Sequence, residues 1–196
     1  MVHTLQSVLM ATVHLLRPTL WRTCRVLANR TRLQILGLLF KEPGLTVSAV
    51  GERLDLALPV ASQYLRALEA RGLLRARRSG RWVHYQLPAA NAGGPAALLV
   101  MALRQVFRQE AHPTEVLFKL ATAFTHPRRI ELFRTLQGQR PDFRQLKTAT
   151  RLSAWALRRH LEKLKGRGFL DQQQGHYAAA HPESAVGRAL ARLAAE

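Results

Sequence analysis

Apolar positions between residues 27 and 74 fall into two helical stripes with a short break between them. Leu27, Leu33, Leu36 and Phe40 recur at helical spacing, and Pro43-Gly44 ends that run. A short helix from about Thr46 to Leu54 follows, then a break over 55–57. Leu58 opens a helix reaching Arg71, in which Ala61, Leu65 and Leu68 form the inward stripe and Gly72 is the stop just past the last turn.

From Leu74 the period changes to strict alternation. In LRARRSGRWVHYQL (74–87) the Ser79-Gly80 pair is a two-residue hairpin signal. Placed at the turn, it sets Arg78 opposite Arg81, Arg77 opposite Trp82, Ala76 opposite Val83, Arg75 opposite His84 and Leu74 opposite Tyr85. The apolar pairs then share one face, and Arg75, Arg77, Trp82 and His84 share the other, as a ribbon with one dry side requires. Helix, helix, turn, helix and hairpin predict a winged helix-turn-helix.

The same pattern returns about 96 residues later. LANRTRLQILGLL (27–39) matches FTHPRRIELFRTL (124–136) at a shift of 97, and VGERLDLALPVASQYLRALEARGLL (50–74) matches LKTATRLSAWALRRHLEKLKGRGFL (146–170) at a shift of 96. Leu54 over Thr150 is the poor column. The change of shift is a one-residue deletion in a connecting loop, where chains tolerate it. The expected fold class is therefore mainly α with small β-hairpins (α+β), as two tandem winged helix-turn-helix domains, 1–95 and 96–196. PAANAGGP (88–95) reads as the linker. An apolar side on Leu5, Val8, Leu9, Leu15 and Leu16, and the nearly all-apolar run 95–107, read as helices that bury against a partner or the other copy.

Composition agrees with two small domains: 196 residues, 47% of them hydrophobic, suffice for two modest cores. Charge adds more. Thirty basic against twelve acidic residues give a net charge of +18, shared equally between the halves, and such a field attracts nucleic acid. The single cysteine, Cys24, forms no intrachain disulfide and fits a reducing, cytoplasmic setting. The N-terminus lacks a basic n-region and no run reaches the ~18 apolar residues of a membrane span, so neither secretion nor a membrane partner is expected.

The segments VLANRTRLQILGLL (26–39), TVSAVGERLDLALPVASQYLRALEARGLL (46–74) and WVHYQL (82–87) resemble the ArsR family of bacterial winged-helix repressors. The second half resembles it more faintly over 115–180, with Pro127 at a helix N1 position where the first half has Arg30. The resemblance implies that Leu58–Arg71 is the recognition helix and that the terminal helices dimerise. Many members of that family sense metals, but residues 46–54 hold neither Cys nor His, and the eight histidines show no ligand spacing. No metal and no cofactor is expected.

Opposite the inward stripe, Pro59, Ser62, Gln63 and Arg66 point outward and are the candidate groove-facing set, with Gln63 and Arg66 as base readers. Arg75, Arg77, Arg78, Arg81 and Trp82 of the wing join them, with a cation–π contact expected between Arg77 and Trp82. In the second half Trp155, Arg158 and Arg159 occupy the outer face, with Glu162. Lys163, Lys165 and Arg167 add charge at the helix end, while the wing DQQQGHY (171–177) is about four residues shorter and has no arginine. No phosphate-cradling glycine loop and no nucleophile, base and acid set appear, so no enzyme is expected.

The function that fits is sequence-specific duplex DNA binding by a bacterial transcriptional regulator, a repressor, acting as an intrachain pseudo-dimer or a homodimer. The alternative is a winged-helix RNA-binding or protein-interaction module. In that reading the second copy serves only as pseudo-dimer partner, with Trp155 in an interface or the core.

Overall fold

The computed structural model describes residues 20–89 and 93–196. The expected helix around Leu5 to Leu16, and positions 90–92 of the linker, lie outside the described residues.

Helix α1 (Leu20–Leu27) leads into α2 (Arg30–Lys41). The sequence stripe ran straight from Leu27 to Phe40, but the helix breaks at 28–29. Asn29 there takes an extended backbone and its side chain accepts a hydrogen bond from Arg32 N, so a new helix is capped inside a continuous apolar pattern. Strand β1 (Leu45–Thr46) precedes α3 (Val47–Leu54), capped by Thr46 and closed by Asp55 in a left-handed conformation. Helix α4 (Leu58–Glu69) starts without a side-chain cap but with proline in its first turn. The wing is β2 (Arg75–Ser79) and β3 (Trp82–Gln86), and β1 pairs with β3 to make a three-stranded sheet.

The wing's register differs from the alternation-based one by two residues. Ser79 pairs with Trp82, Arg78 with Val83, Arg77 with His84, Ala76 with Tyr85 and Arg75 with Gln86, so the turn is Gly80-Arg81. Gly80 takes φ of +57°, and placing glycine first in the turn supplies the left-handed residue that a twisted hairpin needs. Because the slip is two residues rather than one, both faces keep their members: Tyr85 remains buried, and Arg75, Arg77, Trp82 and His84 still share a face.

Helix α5 (Gly94–Gln109) and α6 (Pro113–Ala121) follow, the latter running into a 3₁₀ turn at Thr122–Phe124. Then come α7 (Pro127–Thr135), α8 (Phe143–Thr150), α9 (Ala154–Lys165), the hairpin β4 (Leu170–Gln173) and β5 (His176–Ala179), and α10 (Ala185–Ala195). Pro127 does stand in the first turn of its helix. The second hairpin turns at Gln174-Gly175, both at positive φ. Its tip comes four residues after Leu170, against six after Leu74 in the first hairpin, so each arm is two residues shorter, as the sequence suggested.

In place of two separate cores, one apolar cluster runs from Leu20 to Ala194. Helix α1 packs on α6 and the 3₁₀ turn, and α5 packs along α10. Within α5, Leu99, Val100, Leu103 and Val106 are buried while Met101 is exposed. A bidentate pair between Arg30 and Glu115, at 2.7 and 2.8 Å, ties α2 to α6 across the same join.

Candidate nucleic-acid interface

Helix α4 is seated by Ala61, Leu65 and Leu68, all fully buried, which turns its opposite face outward. There Pro59, Ser62, Gln63 and Arg66 line one shallow groove together with Val47 of α3 and Leu58. The guanidinium of Arg66 folds back one turn, its Nη2 and Nε donating to Ser62 Oγ at 2.8 and 3.2 Å. Leu58 escaped the sequence reading. Its i, i+3, i+7 spacing to Ala61 and Leu65 reads as core, but the helix start overhangs the core edge and leaves Leu58 exposed.

The wing beside this helix carries Arg75, Arg77, Arg78 and Arg81, all exposed. Arg78 lies across from Val83 rather than from Arg81, which occupies the turn. The expected contact between Arg77 and Trp82 is replaced by one from Arg81, whose guanidinium sits 5.0 Å from the Trp82 ring centre. Arg77 pairs with His84, and His84 Nδ1 meets the Gly44 carbonyl at 2.9 Å, anchoring the wing to the turn before β1. Among the described residues the ion pairs are Arg30–Glu115, Arg53–Glu42, Arg128–Glu131 and Arg192–Glu196. Neither the wing arginines nor Arg66 takes part, so this face carries uncompensated positive charge.

On the second half, α9 is capped by Ser153, whose Oγ accepts from Ala156 N at 3.2 Å. Trp155 is 69% exposed, so it does not lie in the core, as part of the alternative reading had it. Arg159 lies over its ring at 5.2 Å and Arg158 over Phe143 at 5.4 Å. Two of the basic residues at the helix end are bonded within the fold. Lys163 is half-buried on the flank, its pKa lowered by burial and then by Arg167 and Arg129. Lys165 donates to Gln172 of the wing at 3.1 Å, and Arg167 donates to Thr122 at 2.7 Å. The outward cationic face is thus Trp155, Arg158 and Arg159.

Behind α9 lies a pair of histidines that sequence pattern did not reveal. His160 is buried with Nδ1 unpartnered, its ring 4.9 Å from that of His126. Burial, then His126 and the arginines at 129, 159 and 128, pushes its pKa down to about 4. Cys24 is fully buried and its thiol is pushed up to about 12, as suits an inert packing residue. Among the described residues no cluster of three or more His, Cys, Asp or Glu gathers to hold a metal, and no helix is long and apolar enough to cross a membrane.

A sequence-family profile described as winged helix-turn-helix DNA-binding matches residues 29–75, from the cap of α2 to the first residue of the wing. The arsenical resistance operon repressor of Escherichia coli K12 is 41% identical over 63 residues, which are 32% of this chain and 54% of the repressor. The arsenic resistance transcriptional regulator ArsR1 of Pseudomonas putida KT2440 is 36% identical over 63 residues, 32% of this chain and 49% of that protein. The chain thus spans about half the length of the curated relatives it matches. These matches describe DNA-binding regulators rather than enzymes, and residues 29–75 are similar to a winged helix-turn-helix DNA-binding family and to about half of each of the two resistance regulators.

Proposed function

We propose that this chain is a transcriptional regulator, a repressor, that binds duplex DNA through two winged-helix heads carried as an intrachain pseudo-dimer, one head in 1–95 and one in 96–196. The observation that carries the DNA-binding reading is the first head itself. An outward helix face with Gln63 and Arg66, inside the segment that matches the DNA-binding family, stands beside a wing whose four arginines enter no ion pair among the described residues. Phosphate contacts from the wing would fix register, and Gln63 and Arg66 would read base edges.

Support for the duplication is local and repeated. Asn29, Thr46 and Ala57 begin α2, α3 and α4, and His126, Asp142 and Ser153 begin α7, α8 and α9, at shifts of 97, 96 and 96. Asp55 and Arg151, both left-handed, close the paired short helices at the same shift. A side-chain device also repeats. Arg32 donates from Nε to Val26 O and from Nη2 to Arg25 O, while Arg129 donates from Nε to Ala123 O and from Nη2 to Thr122 O, each partner displaced by 97. Both arginines satisfy carbonyls at the end of the preceding helical segment, groups that a helix cannot satisfy internally. Helix α1 packs on the segment 97 positions on, and the helices after the two wings, α5 and α10, pack on each other, as subunits of a two-fold dimer do.

Fluorescence anisotropy with labelled random-sequence and genomic duplexes at low salt tests the reading. Binding below about 10 µM is expected, since even non-specific affinity reaches roughly 10⁻⁴ to 10⁻⁶ M at physiological salt. Absence of binding in that range would overturn it. A DNA-competent species at the chain mass of 22.1 kDa is expected, and a species found only at twice that mass would overturn the intrachain assembly.

A further inference from the structure

A cleft of about 420 Å³ lies away from both recognition helices, bounded by the end of α2, the strand leaving the first wing and the end of α5. Its volume lies in the range of small-molecule sites. Its floor is aromatic and aliphatic: Phe40 and Phe107 meet at 5.3 Å between ring centres, and Leu87 closes the side. Three cations, Lys41, Arg104 and Arg108, stand around it, with Arg104 lying 5.7 Å over the Phe40 ring.

No carboxylate neutralises them among the described residues, and residues 1–19 and 90–92 contain no Asp or Glu. Lys41 and Arg108 lie in the last turns of their helices, where basic side chains offset the helix dipole. Two helix ends amount to about one negative charge, which leaves most of the three positive charges without a partner.

The second half treats the equivalent crevice differently. A Cβ on Gly37 would stand 2.8 Å from Phe107, so glycine is what admits the α5 ring against α2. At the position 97 later stands Arg134, whose Nε donates to the Ala194 carbonyl at 3.0 Å and bridges α7 to the end of α10. One crevice is bridged by a side chain, and the other is open, aromatic-floored and cationic.

We propose that this cleft is a binding site for a small amphipathic anion, an aromatic carboxylate, and that its occupancy is transmitted to the wing. The ring stacks against Phe40 and Phe107 while the carboxylate pairs with Arg104 and Arg108, since guanidinium groups match a carboxylate in bidentate geometry. Transmission follows from connectivity. Gln86, the last residue of β3, and Leu87 line the cleft from the wing side, and α5 carries the packing against α10. The regulatory half of this proposal rests on the DNA-binding reading above, while the site itself does not.

The probe is 2-naphthoate, titrated into the full chain without DNA by calorimetry and by protein NMR. Binding is expected, with 2-naphthamide, which lacks the charge, at least tenfold weaker. Arg104→Glu should weaken naphthoate at least tenfold, and Arg188→Glu on α10, which does not line the cleft, should leave it unchanged. Should Arg104→Glu fail to fold, Lys41→Gln with Arg108→Gln, both at exposed positions, replaces it and should weaken binding at least fivefold. No binding at millimolar naphthoate, equal binding of the amide, or equal loss in the Arg188 variant overturns the site. Saturating naphthoate should then shift duplex affinity fivefold or more, within the usual span of allosteric coupling. Naphthoate binding with unchanged duplex affinity overturns the transmission, and naphthoate binding by a chain that never binds duplex overturns the DNA reading alone.

Discussion

The two proposed reading faces divide their charge in opposite ways. The first keeps a mild helix, with Pro59, Ser62, Gln63 and Arg66, beside a long wing carrying four arginines. The second keeps a strongly cationic helix with exposed Trp155, Arg158 and Arg159, beside a hairpin whose arms are two residues shorter and hold no arginine. The difference teaches where binding information can reside. Base edges are read by a few bidentate groups, whereas backbone phosphates are read by charge that must reach them, and a shortened wing without cations removes that reach. The heads also differ behind the helix: Tyr64 with Arg32 over its ring in the first becomes His160 beside Arg129 in the second.

The largest test of this asymmetry is to disable each helix in turn. Gln63→Ala with Arg66→Ala should weaken binding to the preferred duplex about a hundredfold and relax base preference, since each bidentate reader contributes about 1–3 kcal/mol. Trp155→Ala with Arg159→Ala should cost about tenfold. Equal losses in parallel titrations would mean that the two heads read alike.

Stability separates the halves next. Arg129→Met should destabilise by about 2–3 kcal/mol, because the Ala123 carbonyl it leaves is buried, whereas Arg32→Met should cost about 1 kcal/mol, because water reaches the carbonyl of Arg25. Urea unfolding midpoints measure both, and a larger loss at Arg32 would reverse the reading.

The wing is tested by salt. Arg78→Ala with Arg81→Ala should weaken binding to all sequences and lower the slope of log affinity against log salt by about two units, with base preference kept. An unchanged slope would mean that this wing does not touch DNA.

The smallest effect is in pH. A histidine that folding holds neutral contributes its full stability above the unfolded value of 6.5 and loses it progressively as pH falls towards about 4, because the unfolded chain takes up the proton first. The melting temperature should therefore fall between pH 6.5 and 4. His160→Tyr, the residue of the first head, should flatten that fall, and an identical profile in the variant would remove His160 as its source.

Much of this was legible because it is local. The short helix from Thr46 and the capping serine Ser153 announce helix starts by side-chain chemistry, and Gly72 marks the chain reversal before the first wing, whereas the Asn29 cap interrupts an apolar stripe that reads as continuous. The wing's faces were legible and its register was not. Alternation is indifferent to a slip of two, and the glycine belongs at the first turn position rather than the second. Net charge was legible, but the assignment of individual cations was not. Lys165 and Arg167 look like interface residues in the sequence, yet each is bonded within the fold.

By itself the sequence determined the order of helices and hairpins and the excess of positive charge, because these follow from periodicity, from residues acting on near neighbours and from composition. Only the tertiary structure decided which arginines cap carbonyls and which stay free, where Trp155 points, that His160 is buried without a partner, and that Gly37 opens a cleft where Arg134 bridges one. Those outcomes depend on which segments distant in the chain are brought within a hydrogen-bond length, and no local pattern encodes that distance.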